Sequence, residues 1–157
     1  TALPRRLPLL RVVVDSQLRL PLGSRLVQTF QNDLVVAGTS AAAPQRRAAL
    51  EALGIPVILL DGPDGRVNLA ALMSWLGEEQ RLSVMVEAGA KLNWAALEAC
   101  IVDKVLFYYA PKILGGLESL PVAAGPGRRS RSSALRLRDL HTFPVAPDEF
   151  AVEAYVR

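Results

Sequence analysis

The chain has 157 residues, 51% of them hydrophobic and 21% charged, with a mean hydropathy of +0.26. That balance excludes intrinsic disorder and fits one folded domain. No apolar run approaches the roughly 18 residues of a membrane span, and a formal net charge of +3 is too mild to argue for a nucleic-acid partner.

Leu10–Asp15 (LRVVVD) is apolar on both faces and predicts a buried strand. Pro21, Gly23 and Ser24 break it, and SRLVQTF predicts a short helical turn. Asp33–Gly38 (DLVVAG) reads as a second strand. Pro44 opens RRAALEALG, with Leu50 and Leu53 three apart and Gly54 in the stop position, so a helix with a proline start and a glycine end is expected. Ile55–Leu60 predicts a third strand, Asp61–Gly65 (DGPDG) a turn, and Val67–Leu76 a helix with Leu69, Leu72, Met73 and Leu76 on one stripe.

Leu82–Val86 predicts a fourth strand, Lys91–Cys100 another helix, and Val102–Tyr109 a fifth strand rich in β-branched and aromatic residues. Alternating strands and helices imply βαβ units and a largely parallel sheet. After Gly115–Gly116 the text changes: Leu120–Ser133 is rich in Pro, Gly, Arg and Ser and reads as a loop. Ala134–Phe143 and Glu149–Val156 then predict two strands around a Pro144–Pro147 turn, an antiparallel pair at the sheet edge. The expected architecture is α/β with a β-hairpin tail.

Open α/β sheets bind ligands at the carboxyl ends of their strands. Two such places stand out. One is Asp15–Ser16, after the first strand. The other is Glu87 to Asn93 (EAGAKLN), where a strand is expected to end, a glycine permits close backbone approach and a helix begins. Unpaired N–H groups at a helix start suit phosphate, and Lys91 adds charge. The run lacks the G-x-G-x-x-G and G-K-[ST] patterns, so a plain glycine turn with Glu87 as a solvated carboxylate explains it as well.

Other residues point to structure rather than chemistry. His141 is the only histidine and falls in an expected edge strand with no Ser or Asp motif nearby. Cys100, the only cysteine, excludes an internal disulfide and reads as a packed thiol at a helix end. Trp75 and Trp94 fall on expected helices, where core or interface roles are the default. Arg128, Arg129 and Arg131 are set among serines without interleaved aromatics, which reads as a solvated loop. Closely spaced metal ligands are absent from the sequence.

The run VMVEAGAKLNWAALEACIVDKVLFYYAPKILGG, Val84–Gly116, resembles the reductase domain of the bifunctional riboflavin-biosynthesis deaminase–reductase. That family reads V-E-[GA]-G-x-x-L, a helix, L-V-D-E, a strand and A-P-K-[IL]-L-G. LLRVVVDSQLRLPLGSRLVQ, Leu9–Gln28, is similar to its R-V-V-x-D-S segment, and DEFAVEAYVR to its closing strands. The resemblance implies a dihydrofolate-reductase-like, three-layer α/β sandwich with a mostly parallel central sheet and a C-terminal antiparallel hairpin. It also implies NADPH-dependent reduction of 5-amino-6-(5-phosphoribosylamino)uracil to the ribitylamino product, by hydride transfer to the sugar C1 after ring opening.

Position by position, the resemblance implies that Ser16 contacts the cofactor. Gly89, Ala90, Lys91, Leu92, Asn93, Trp94 and Ala95 would form the phosphate-binding loop and helix start, with Glu87 on the substrate side. Thr39 and Ser40, after the second strand, are candidates for the 2′-phosphate. A cytoplasmic enzyme is expected. Val105, Phe107, Tyr109 and Tyr155 offer apolar surface in strands near an edge, so a homodimer is expected too.

Several positions depart from the family pattern. Ala88 replaces a glycine, Trp94 stands where a small residue is common, Cys100 replaces a helix-ending glycine, and Lys104 reverses the Glu of L-V-D-E. Cys100 is therefore expected to forfeit the left-handed helix cap. The family's K-x-A-x-S-L-D-G, W-I and T-V-x-x-D-x-P segments and the deaminase H-x-E and P-C-x-x-C are not found in the chain, which opens on Thr1. Residues 1–157 are thus expected to be the C-terminal part of one reductase domain. Two other readings stay open: a reductase of the same fold acting on a pterin or another substrate, and a non-catalytic nucleotide-binding or assembly module.

Overall fold

A computed structural model describes residues 9–116 and 118–156. The chain divides into two compact units, the first ending at Leu82 and the second beginning at Ser83.

The first unit is built on three parallel strands, β1 (Arg11–Val14), β2 (Leu34–Gly38) and β3 (Val57–Leu59), in that spatial order. Val13 lies opposite Val36, and Val36 opposite Val57. All five residues of β2 are buried, as a central parallel strand with both faces covered requires. Alternation divides its side chains. Leu34 and Val36 pack with Leu18, Leu50 of α2 (Pro44–Glu51) and Ile55, and Leu26 and Val27 of α1 (Arg25–Gln28) join them. Ala37 packs on the opposite side with Val67 and with Leu72 and Leu76 of α3 (Leu69–Glu78). This unit is the three-layer arrangement expected. The α3 stripe of Leu69, Leu72, Met73 and Leu76 faces the sheet as its spacing requires.

The helix ends follow local chemistry. Pro44 opens α2, and Gly54 closes it in the left-handed conformation (φ +76°), with Ile55 N–H donating to Leu50 O at 3.1 Å. Asn68 caps α3 by accepting from Ala71 N–H at 3.0 Å. At the start of the sheet, Arg11 donates to Asp33 at 2.7 Å, and that bond holds the Asp33 carboxyl below its usual value.

The second unit contains α4 (Ala90–Glu98) and an antiparallel sheet of β4 (Lys104–Tyr109), β5 (Leu137–Ala146) and β6 (Glu149–Val156) in the order β4-β6-β5. The fifth strand of the sequence reading therefore joins the hairpin, and β6 lies in the middle. β5 continues through Pro144, which an edge strand with a register shift tolerates; the turn falls at Pro147–Asp148 instead. The expected fourth strand, Leu82–Val86, is irregular backbone. It has no ladder partner among the described residues, and Leu82 and Met85 are 102% and 77% exposed. An apolar run becomes a strand only when another strand satisfies its N–H and C=O groups.

Register explains the charge reversal at Lys104. Lys104 and Arg138 both lie opposite Tyr155, and their cations flank its ring at 4.7 and 5.1 Å. Lys104 also bridges to Glu153 at 3.1 Å, which raises its pKa above the ordinary value. Tyr155 accordingly lies on the middle strand rather than near an edge. It is on the face opposite Val105, Phe107 and Tyr109, and Val105 and Phe107 are half-buried.

Cys100 corrects two expectations. It is exposed, not packed, and it keeps the left-handed cap at φ +55°. Cys100 N–H donates to Leu97 O at 3.2 Å and Ile101 N–H to Ala96 O at 3.3 Å, a complete Schellman pair. Apart from glycine, residues reach this conformation only at a steric cost of about 1 kcal/mol. Cys100→Gly is therefore expected to raise the thermal midpoint by several degrees (~1 kcal/mol), measured by circular dichroism.

Candidate functional site

At the carboxyl ends of β1, β2 and β3, three side chains stitch the loops together. Ser16, half-buried, uses its carbonyl to accept from the Thr39 hydroxyl at 2.9 Å, and its own Oγ accepts from Val67 N–H at 3.2 Å. The Ser16 hydroxyl proton stays available to an acceptor. Thr39 is 1% exposed and its hydroxyl donates to the Ser16 carbonyl. Asp61, which the sequence reading missed, accepts from Ser40 N–H at 2.8 Å and so ties the loop after β2 to the end of β3.

The Asp15 carboxylate makes a tight turn by accepting from the backbone N–H groups of Gln17 and Arg19. The turn carries Leu18 at φ +52° into the core against Gly38, where a Cβ would come within 2.5 Å of Leu18 Cδ2. Beyond it lies a cavity of about 150 Å3 lined by Leu18, Thr39, Ser40, Ala42, Pro44 and Arg47 among others. Ser40 and Arg47 are exposed there, with Arg47 paired to Glu51 at 2.7 Å. Arg47 carried no signal in the sequence; a helical position one turn past Pro44 became meaningful only with the cavity beside it.

In the second unit α4 begins as expected. Gly89 is its N-cap, in an extended conformation any residue adopts (φ −73°, ψ 164°), and no side chain caps the first turn. A Cβ at Gly89 would meet nothing within 4 Å. The N–H groups of Ala90 and Lys91 have no intrahelical acceptor by geometry, while those of Leu92 and Asn93 both turn back to Gly89 O at 3.1 Å. Lys91 and Glu87 are exposed, Glu87 on irregular backbone rather than at a strand end.

The structure divides the predicted phosphate loop. Gly89, Ala90 and Lys91 present an open helix start, with Leu92 and Ala95 half-buried behind it. Asn93 and Trp94 also meet the segment Val122–Gly125. Asn93 Nδ2 donates to Val122 O and Ala124 N–H donates to Ala90 O, both at 2.8 Å, and Gly125 lies against the Trp94 ring. Ser16 belongs to the first unit and Glu87–Ala95 to the second. Among the described residues no group of His, Cys, Asp and Glu could hold a metal, and no helix is long and apolar enough to cross a membrane.

The first unit thus carries a parallel sheet with loops at its carboxyl ends, and the second a helix whose first turn no side chain caps, features of an α/β protein. The chain belongs to the RibD C-terminal domain family, whose model matches residues 4–149. It is 36% identical over 138 residues to a riboflavin biosynthesis protein RibD from Actinobacillus pleuropneumoniae, covering 88% of this chain and 37% of that protein. It is 28% identical over 128 residues to a 2,5-diamino-6-ribosylamino-4(3H)-pyrimidinone 5′-phosphate reductase from Aquifex aeolicus, covering 82% and 56%. The chain thus spans between about a third and somewhat over half of these relatives. In fold it is similar to Acinetobacter baumannii RibD, with a TM-score of 0.75 at 22% identity over 94% of this chain and 37% of that one. It is also similar to a pyrimidine reductase-like protein from Corynebacterium diphtheriae, with a TM-score of 0.72 at 21% identity over 93% and 60%.

Proposed function

We propose that this chain is the reductase module of a cytoplasmic riboflavin-pathway enzyme, reducing 5-amino-6-(5-phosphoribosylamino)uracil to its ribitylamino product with NADPH. The observation that carries the reading is the open, uncapped start of α4 at Gly89 in a chain of this family. Each unit by itself carries groups suited to a phosphorylated cofactor. Gly89, Ala90 and Lys91 would hold the pyrophosphate through backbone N–H groups and one cation. Ser40 and Arg47, beside the cavity after β2, would hold the 2′-phosphate, and Ser16 would donate its free hydroxyl proton to the cofactor.

When bound, the cofactor supplies a hydride; the chain's residues position and screen. The exposed Glu87 carboxylate would accept hydrogen bonds from the hydroxyl or N–H groups of the substrate, setting its reacting carbon. Steady-state rates with NADPH and NADH, measured on the protein as its gene encodes it, test the assignment. NADPH is expected to be preferred, and Arg47→Ala to cost about tenfold of that preference, or 1.4 kcal/mol. Preference for NADH, or no turnover with either, would overturn it.

The same proposal includes a homodimer through the antiparallel sheet. β4 is an edge strand bearing exposed Leu106, Tyr108 and Tyr109, and Tyr109 stacks on exposed Phe150 at 4.8 Å. A bare apolar edge is a pairing surface. Light scattering should give twice the chain mass; a monomer at micromolar concentration would remove this part.

A further inference from the structure

Arg128, Arg129 and Arg131 read as a solvated run because no aromatic is interleaved with them in sequence. The fold supplies one from elsewhere. Trp94, on the second turn of α4, stands under the Arg128 guanidinium at 5.8 Å. It lines, with Arg128, Arg129, Ser130, Arg131 and Ala134, a cavity of about 430 Å3.

The arrangement is held in place. Two backbone-anchored hydrogen bonds at 2.8 Å fasten Val122 and Ala124 to the first turn of α4. Gly125 is pressed on the indole so closely that a Cβ would fall 2.0 Å from Trp94 Cδ1. Ser130 and Ser133 close a reciprocal cap that fixes the short turn carrying Arg131.

The charge is uncompensated. Arg128, Arg129 and Arg131 form no ion pair among the described residues, and no acidic residue occurs between Ser119 and Arg138. The loop brings three cations to one open depression, with the Arg128 guanidinium over the indole, and guanidinium forks match phosphate oxygens. An indole beside them adds a face for a flat or sugar-bearing group.

We infer that the Arg128–Arg131 loop and Trp94 form a phosphate-group subsite. It would take either the pyrophosphate of the dinucleotide or the phosphate ester of the substrate. The inference rests on the reductase reading for those two sources, but the side chains it uses are not those assigned to the pyrophosphate at Gly89–Lys91.

Trp75→Phe leaves Trp94 as the only indole, so its emission reports the site directly. Inorganic pyrophosphate titrated into the chain at low salt is expected to change that emission saturably. Replacing Arg128, Arg129 and Arg131 together by Ala should raise the midpoint by about tenfold or more, and Lys at all three should restore part of it. NADH displacing the pyrophosphate would assign the subsite to the dinucleotide; ribose 5-phosphate displacing it would assign the substrate ester. Equal midpoints in the parent and the triple Ala variant, or displacement by neither compound, overturns the inference. Loss of NADPH binding in Gly89→Val, with equal pyrophosphate midpoints in the parent and the triple Ala variant, would sink the subsite and leave the reductase reading standing. No NADPH binding by the parent would sink the reading itself.

Discussion

Gly89→Val is expected to weaken NADPH binding by about 100-fold or more while leaving the fold intact. The N-cap φ of −73° suits valine, and the space around a Cβ there is empty of protein atoms, so folding has no reason to object. The branched side chain would instead fill the approach to the Ala90 and Lys91 N–H groups. Losing two hydrogen bonds to a charged ligand, at about 1.5–3 kcal/mol each, accounts for the size of the effect. Cofactor titration followed by NADPH fluorescence measures it, with circular dichroism as the check on folding. Glu87→Gln is the counterpart. Cofactor affinity should hardly change, while kcat/KM for the pyrimidine substrate should fall about tenfold, since only the charge of one carboxylate is removed. If Gly89→Val binds NADPH like the parent, the helix start is a structural turn. If Glu87→Gln loses mainly cofactor, the two residues have been given each other's roles.

Leu50→Ala is expected to destabilise the first unit by about 2–5 kcal/mol, a large share of the 5–15 kcal/mol typical of a domain. Leu50 is 0% exposed and joins α2 to Leu18, Leu34, Val36 and Ile55, so truncation leaves a cavity that a fully buried β2 cannot collapse to fill. Trp75 packs in this unit and Trp94 belongs to the other, which makes each indole a local reporter. Urea unfolding followed by Trp75 emission, in a Trp94→Phe background, should show the midpoint falling by about 1 M or more. A shift under about 0.3 M would mean that the site repacks.

What could be read from the sequence lies within three or four residues of itself. The proline start and glycine end of α2, the stripe of α3 and the glycine before α4 are local devices, and each was found where its spacing put it. The three strands of the first unit were legible for a related reason. A central parallel strand is apolar at every position, so its burial is written into its own composition. Two motif blocks were enough for the family resemblance, and the family model matches residues 4–149.

The tertiary structure decided what depends on partners distant in sequence. Leu82–Val86 has strand composition but no strand partner among the described residues, whereas β4 finds its partner in β6 about forty to fifty residues on. The hydrogen bond from the Thr39 hydroxyl to Ser16 and the cavity beside Arg47 likewise exist only in the fold. Cys100 keeps a glycine's conformation because two hydrogen bonds of the helix end outweigh the steric cost of its Cβ. Trp94 and the arginines are more than thirty residues apart, and ring and charge meet only through the loop that hydrogen bonds and the Gly125 contact fasten to α4. Periodicity and caps are set by neighbours along the chain; strand pairing, committed hydroxyls and shared cavities are set by neighbours in space.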